Sequence, residues 1–345
     1  MDPFLLMSQL LLMALGANVV AVSAPELFPG HLLRAGVALA VTALVAYLPL
    51  RLWVRTSVWL YLLSLILLLL TVFFGVQKNG AQRWLEYKGF SLQASEFAKI
   101  FLVLYLAGYL ERHGTDHPIA GPVLLAGVGA ALVLIQPDFT SALFLLALAA
   151  LLLIAAGVPA RRLFAIGFAT SLIAVAVSGI FAIRLHHVTE RLNAFFSGKD
   201  IYQVSQGLKA IQQGGVFGEG PGAVLVPVPY AYNDSAFASL VFALGAVGAI
   251  VLLIAYTLIL GRGLQIAFAT EGATSLVALG VTATLLLEAT LHVAVNLGLL
   301  PPTGLPLPFV SYGGSNMIAH GFALGLLHAA AREARQKPRE LEESA

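Results

Sequence analysis

Apolar runs alternate with short polar breaks along the whole chain. They fall near residues 4–24, 32–50, 57–76, 94–111, 119–135, 139–157, 162–184, 236–261, 271–297 and 306–331. Each is long enough, or nearly so, to cross about 30 Å of hydrocarbon at about 1.5 Å per residue. None shows the alternation of a strand. Backbone groups in lipid must be bonded internally, so these runs predict helices. Runs five and six are separated only by Gln136-Pro137-Asp138, which predicts a tight helical hairpin, because Pro137 cannot continue the first helix. The fold expected is all-α: a polytopic integral membrane protein of about ten transmembrane helices. Residues 1–331 form one helical domain, with a large outer loop at 186–235 between helices seven and eight. Residues 332–345 form a charged tail. No internal repeat is visible, which removes support for the inverted-repeat architecture of many transporters.

Composition agrees with the pattern. Of 345 residues, 59% are apolar and 10% are charged, against about 25% charged in an ordinary soluble chain. The absence of cysteine excludes disulfides, thiolate metal sites and a cysteine nucleophile. A net charge of +2 gives no reason to expect nucleic acid as a partner. Met1-Asp2-Pro3 lacks the basic start of a cleavable signal and is expected to lead into a first span. The basic residues then set the orientation. Arg51, Arg55, Arg112, Arg161, Arg162, Arg262, Arg332, Arg335, Lys337 and Arg339 fall on one side if both termini are cytoplasmic. Lys78, Arg83 and Lys88, and Arg184, Arg191, Lys199 and Lys209 in the long loop, fall outside. Arg34 lies near the start of the second span. Outer cations are either ordinary solvated charges or a place to hold an anionic ligand such as a lipid pyrophosphate.

A low charge fraction makes each intramembrane charge informative. Glu96 and Lys99 are three apart on one helical face and predict either a salt bridge between helices or a chemical role. Thr284, Glu288, His292 and Asn296 are each four apart and predict an interhelical hydrogen-bond seam, or a proton relay. Asp138 reads as a helix cap. Asp234 lies just before the eighth run, after Pro227, Pro229, Tyr230 and Tyr232. A carboxylate at a membrane boundary beside an apolar wall suits a general base, but spacing equally allows it to be a helix N-cap. The Gly-rich stretch 214–222 is not a dinucleotide fingerprint, since no strand precedes it. It reads as either a loop that closes on a ligand or a plain turn. It follows an amphipathic segment, Tyr202 to Gln213.

Several motifs together resemble one family, the shape, elongation, division and sporulation proteins typified by RodA, FtsW and SpoVE. Lys78-Asn79-Gly80-Ala81-Gln82-Arg83-Trp84-Leu85 followed by Gln93-Ala94-Ser95-Glu96-Phe97-Ala98-Lys99 is similar to the family's GA-x-RWL…QPSE-x-x-K signature, with Ala94 in place of proline. Gln136-Pro137-Asp138 resembles its QPDLGT motif. Tyr202-Gln203, Gln206, Ala210-Ile211 and the glycines to Gly220 resemble its outer loop. The segment from Leu299 to Ser315 is nearly LPVTGIPLPFVSYGGS. Asp234 falls on the family's aspartate in P-E-x-H-T-D-F-I-F, although Tyr232-Asn233 replace His-Thr. Phe242-Ala243 stand where the family commonly carries Glu-Glu.

The resemblance implies a peptidoglycan glycosyltransferase in the bacterial cytoplasmic membrane, polymerising lipid II on the outer face in cell-wall synthesis for shape or division. It implies a partner, a class B penicillin-binding transpeptidase, held through its membrane helix. The lipid-linked donor is α and the product β, so the displacement is inverting. Asp234 is then the catalytic base. Arg83, Lys99 and Lys209 are candidates to stabilise undecaprenyl pyrophosphate, with Trp84 beside Arg83 and Glu96 positioning Lys99. Ser311, Gly313 and Gly314 are candidate substrate contacts through a glycine turn whose amides suit a phosphate, or else small residues for packing. No cofactor is certain. A divalent cation, Mg or Mn, is compatible, and no metal ligands are assigned. Two other readings stay open: a lipid II flippase, and a catalytically weak scaffold for the transpeptidase.

Overall fold

The computed structural model describes residues 1–78, 81–87, 90–159, 161–163, 202–220, 223 and 227–343. The run near 162–184, and Lys88, Arg184, Arg191 and Lys199, lie outside these. The described residues are mostly helical. In chain order they form α1 (Pro3–Ser23), α2 (Phe28–Tyr47), α3 (Leu50–Phe74), β1 (Val76–Lys78), β2 (Ala81–Tyr87), β3 (Phe90–Gln93), α4 (Ala94–His113), α5 (Ala120–Ile135), α6 (Phe139–Ala155), α7 (Tyr202–Gly214), α8 (Ala236–Ala269), α9 (Gly272–Asn296) and α10 (Gly314–Glu343). Among the described residues, five helices are long and apolar enough to cross a membrane: α1, Pro25–Tyr47, α3, α8 and α9. The shorter α5 and α6 are also apolar.

Two expectations are corrected. The fold is not purely α-helical, because β1, β2 and β3 form an antiparallel sheet. The last helix starts at Gly314 rather than near 306, because Pro306 and Pro308 are not tolerated in a helix interior.

The chain divides into two compact units. The first comprises Met1–Ala46, Glu190–Gly263 and Leu285–His328. Its first helix is started by sequence chemistry. The Asp2 side chain accepts from the amides of Phe4 and Leu5, and Pro3 occupies the first helical position. Arg262 completes this cap with an ion pair to Asp2 at 2.5 Å. Gly321 and Gly325 are four apart on α10 and let it approach the α2 backbone closely. A Cβ at Gly321 would lie 2.6 Å from the Ala38 carbonyl oxygen.

Helix α8 is broken inside this unit. Gly245 has φ 64°, ψ −161°. A regular helix would bond the amides of Ala246 and Val247 to the carbonyls of Phe242 and Ala243. Instead, Ala246 donates to Gly215 at 2.9 Å and Val247 to Val216 at 3.2 Å. The two released carbonyls accept from Glu219 at 2.9 Å and Gly220 at 3.1 Å. Two helical bonds are thus replaced by four to the Gly-rich segment, so no buried backbone group is left unmade by the break. The segment is neither a free lid nor a plain turn; it plugs the interrupted helix.

The second unit comprises Tyr47–Thr189, Leu264–Thr284 and Ala329–Ala345. Here α3 packs on α4, α4 on α6, and α5 pairs with α6 as the expected hairpin. Tyr61 stacks on Tyr105 with centroids 5.2 Å apart, and its hydroxyl donates to the Leu125 carbonyl. Arg332 donates to the carbonyls of Tyr47 and Leu48, capping the end of α2 with a cation.

Candidate functional site

Asp234 is half-buried in a turn that leads into α8. The Ser235 carbonyl accepts from Ser239 at 3.1 Å, which makes Ser235 the capping position. The Ala236 amide donates to the Asn233 carbonyl at 3.3 Å, and the next two amides belong to Phe237 and Ala238. Phe237 donates to Nε2 of His292 at 3.4 Å, and Ala238 to Oδ1 of Asn296 at 3.2 Å. The first turn of α8 is therefore capped from α9. Because Nε2 of His292 accepts, its Nδ1 carries the proton and donates to the Leu305 carbonyl at 2.8 Å. Nδ2 of Asn296 donates to the backbone carbonyl of Asp234 at 3.0 Å. One side chain thus holds both the helix start and the aspartate.

The opposite side of the turn is held by residues 311–312. Ser311 is buried; its hydroxyl donates to the Asn233 carbonyl at 2.8 Å and accepts from the Leu307 amide. The Tyr312 amide donates to the Tyr232 carbonyl at 2.8 Å. Tyr230 and Phe309, one on each strand of this clasp, have positive φ (53° and 63°), a strained backbone that the surrounding bonds must maintain. The amides of Val310 and Ser311 both go to the Leu307 carbonyl. With Tyr312 also engaged, these three amides are spent on the protein. Of the turn expected to hold a phosphate, the amides of Ser311 and Tyr312 are thus bonded within the protein. The turn is a clamp on Asp234. Gly313 faces the Asn316 side chain, 2.3 Å from where a Cβ would sit, and Gly314 opens α10.

Lys209 is exposed on α7, whose Gly207 packs on Ala238 of α8. The Phe242 ring lies in an apolar cluster with Ala210, Val228 and Ala231. At the position of the family's acidic pair, this cluster offers no ligand oxygen for a cation. A buried Glu288–His320 contact at 2.7 Å realises the seam expected on α9, with a partner on α10 that spacing alone did not reveal. Thr284 bonds instead to its own helix at Gly280.

The remaining candidates belong to the second unit. Glu96 and Lys99 pair at 3.0 Å, both buried on α4, with Lys99 Nζ 5.2 Å from the Phe144 ring centre. Arg83 on β2 donates to the Pro137 carbonyl at 2.5 Å and pairs with Asp138 at 3.5 Å. Asp138 in turn caps α6 through the Ser141 amide. Gln136 donates to the Leu68 carbonyl. Arg83 is therefore committed to the 136–138 turn. Trp84 is half-buried beside it, in register with Gln93.

The Glu96–Lys99 pair yields a direct test. Glu96→Ala removes the carboxylate bonded to a buried ammonium and is expected to cost about 3–5 kcal/mol, whereas Glu96→Gln with Lys99→Met removes both charges and recovers most of that loss. Thermal unfolding in detergent measures both. Equal destabilisation in the single and double variants would contradict a compensated pair.

A family model described as Cell cycle protein, covering FtsW, RodA and SpoVE, matches residues 5–336. A protein of Thioalkalivibrio sp. (strain K90mix) named "Probable peptidoglycan glycosyltransferase FtsW" is 34% identical, over 96% of this chain and 89% of its own length. Another of that name, from Coxiella burnetii, is 33% identical over 94% and 95%. A chain solved under the description "Structural coordination of polymerization and crosslinking by a peptidoglycan synthase complex" superposes with a TM-score of 0.80. It is 28% identical and covers 97% of this chain and 98% of that one. The Thermus thermophilus rod shape determining protein RodA superposes with a TM-score of 0.72 at 27% identity, over 96% and 97%. The chain belongs to the FtsW, RodA and SpoVE family of cell cycle proteins.

Proposed function

We propose that this protein is a peptidoglycan glycosyltransferase that polymerises lipid II on the outer face of the bacterial cytoplasmic membrane. The names of its relatives support the reaction class. The observation that carries the assignment to this chain is the Asp234 turn, fixed by Asn296, Ser311 and Tyr312 at the start of an apolar helix. A base on a rigid turn loses no reorganisation energy when it meets substrate.

In this reading, about ten helices span the membrane with both termini cytoplasmic. Residues 186–235 lie outside, residues 1–331 form the membrane domain and 332–345 the tail. Asp234 takes the proton from the 4-hydroxyl of the acceptor sugar as that oxygen attacks the anomeric carbon of the donor glycan. The bond to undecaprenyl pyrophosphate breaks on the opposite face, so configuration inverts. The departing pyrophosphate carries the negative charge and is met by cationic side chains, for which Lys209 and Lys99 are the assigned groups, with Glu96 positioning Lys99. Arg83 acts through the turn it holds, with Trp84 beside it as a substrate contact. Gly313 and Gly314 allow close backbone approach. The relative solved in a peptidoglycan synthase complex supports a transpeptidase partner, a class B penicillin-binding protein engaged through its membrane helix.

The test uses purified protein, labelled lipid II and a transpeptidase partner with its own active site disabled. Moenomycin-resistant glycan strands are expected on a gel. Their absence under all conditions, together with lipid II transfer in sealed vesicles, would instead establish a flippase. Absence of both would leave a scaffold.

A further inference from the structure

His31 and Arg34 are three residues apart on α2, which places them on one helical face. Both meet the ring of Tyr312. The His31 ring stacks on it with centroids 6.0 Å apart and planes at 23°, and the Arg34 guanidinium carbon lies 4.3 Å from its centre. Tyr232 packs edge-on against the same ring at 5.6 Å. His31 is 0% exposed, yet neither of its ring nitrogens has a hydrogen-bond partner among the described residues. The buried Nη1 of Arg34 has none either. Buried polar groups are bonded in the great majority of cases, so three such nitrogens around one ring are an exception that needs a cause. A guanidinium held by its face on an aromatic ring keeps its edge available, and that edge matches the oxygens of a phosphate.

The surface beside this pair is apolar. Leu32 and Leu33, beside this face, are 48% and 71% exposed on a helix apolar enough to span a bilayer. A ligand reaching Arg34 past these leucines therefore has a lipid tail. The ring that carries the pair is also the one whose backbone holds residue 232 of the Asp234 turn.

We propose that His31, Arg34 and Tyr312 form a subsite for the phosphate or pyrophosphate ester of a lipid, seated against the Asp234 turn. Two sources share this chemistry: a polyprenyl pyrophosphate, and the headgroup of an anionic phospholipid. The first of them rests on the glycosyltransferase reading. The phosphate oxygens accept from Arg34, and a neighbouring ester or hydroxyl oxygen satisfies His31.

The test measures binding to the full-length protein in phosphatidylcholine nanodiscs, with undecaprenyl pyrophosphate as probe, and repeats it with phosphatidylglycerol. Arg34→Ala is expected to weaken binding about tenfold or more. Arg34→Lys should restore part of it, and His31→Leu should lose less than Arg34→Ala. Loss confined to undecaprenyl pyrophosphate assigns the substrate lipid; loss confined to phosphatidylglycerol assigns the headgroup. Wild-type binding of both probes in folded Arg34→Ala and His31→Leu overturns the subsite. If Arg34→Ala does not fold, Arg34→Lys serves in its place, because an ammonium cannot grip a phosphate with the two-pronged edge of a guanidinium. Arg34-dependent binding without strand formation would sink the enzyme reading and keep the subsite. Strand formation by Arg34→Ala with wild-type KM would keep the enzyme reading and exclude the polyprenyl pyrophosphate as the occupant of this subsite.

Discussion

Asp234→Asn is expected to lower glycan-strand formation by about 10²–10⁴-fold, the range associated with loss of a positioned general base. That is about 3–5 kcal/mol of transition-state stabilisation. Asparagine is nearly isosteric, and the backbone carbonyl of this residue accepts from Asn296. The adjoining carbonyls of Tyr232 and Asn233 are bonded to Tyr312 and Ser311. None of these three bonds uses the carboxylate, so all three are expected to survive the substitution. The loss should therefore appear in kcat with little change in KM, the signature of an interaction made in the transition state alone. Single-turnover assays with labelled lipid II separate the two. A folded Asp234→Asn protein polymerising within about threefold of wild type would remove Asp234 from the role of base, since such a factor is below any general-base contribution.

The second large effect is on the fold. Gly218→Val and Gly245→Val are each expected to lower the unfolding temperature by about 10 °C or more, or to prevent recovery of folded protein. Gly245 has φ 64° and Gly218 φ 78°, a region that costs a β-branched residue dearly. A Cβ at Gly245 would also lie 2.3 Å from the Val216 carbonyl oxygen, and one at Gly218 2.3 Å from that of Ala243. Neither contact is with a flexible side chain that can swing aside. Each clash falls on the segment whose four hydrogen bonds replace the broken helical ones, so relief of the clash exposes buried amides and carbonyls. Gly215→Ala is the internal control. Its φ of 51° is also positive, but nothing lies within 4 Å of its Cβ position, so only the backbone cost of about 1–2 kcal/mol applies. Equal shifts for all three variants would show that the close approach of the two segments contributes nothing.

The departure at Phe242-Ala243 gains a physical meaning from the same geometry. Their backbone carbonyls accept from the plug, and the Phe242 ring packs in an apolar cluster. Whatever a carboxylate pair supplies in relatives, this chain uses the position for packing.

The sequence alone determined where several of the helices run. The runs near 4–24 and 271–297 match α1 at Pro3–Ser23 and α9 at Gly272–Asn296 within a residue or so. A long apolar stretch has one way to satisfy its backbone in lipid, and bilayer thickness sets its length. Motif spacing also singled out Asp234, and the Glu96–Lys99 pairing followed from helical spacing. The sheet at 76–93 escaped because its strands are short and carry no clear alternation. The break in α8 escaped for a related reason: Leu244-Gly245 sits within a continuous apolar stretch that gives no sign of interruption. Only the tertiary structure decided that Gly215 to Gly220 would supply the missing partners, that His292 and Asn296 would cap α8, and that Ser311 and Tyr312 would clamp the Asp234 turn. Hydrophobicity acts locally and repeats along the chain, so it is legible in one dimension. A buried hydrogen bond needs a specific partner at a specific distance, and here those partners lie 23 to 80 residues away, beyond the reach of any local pattern.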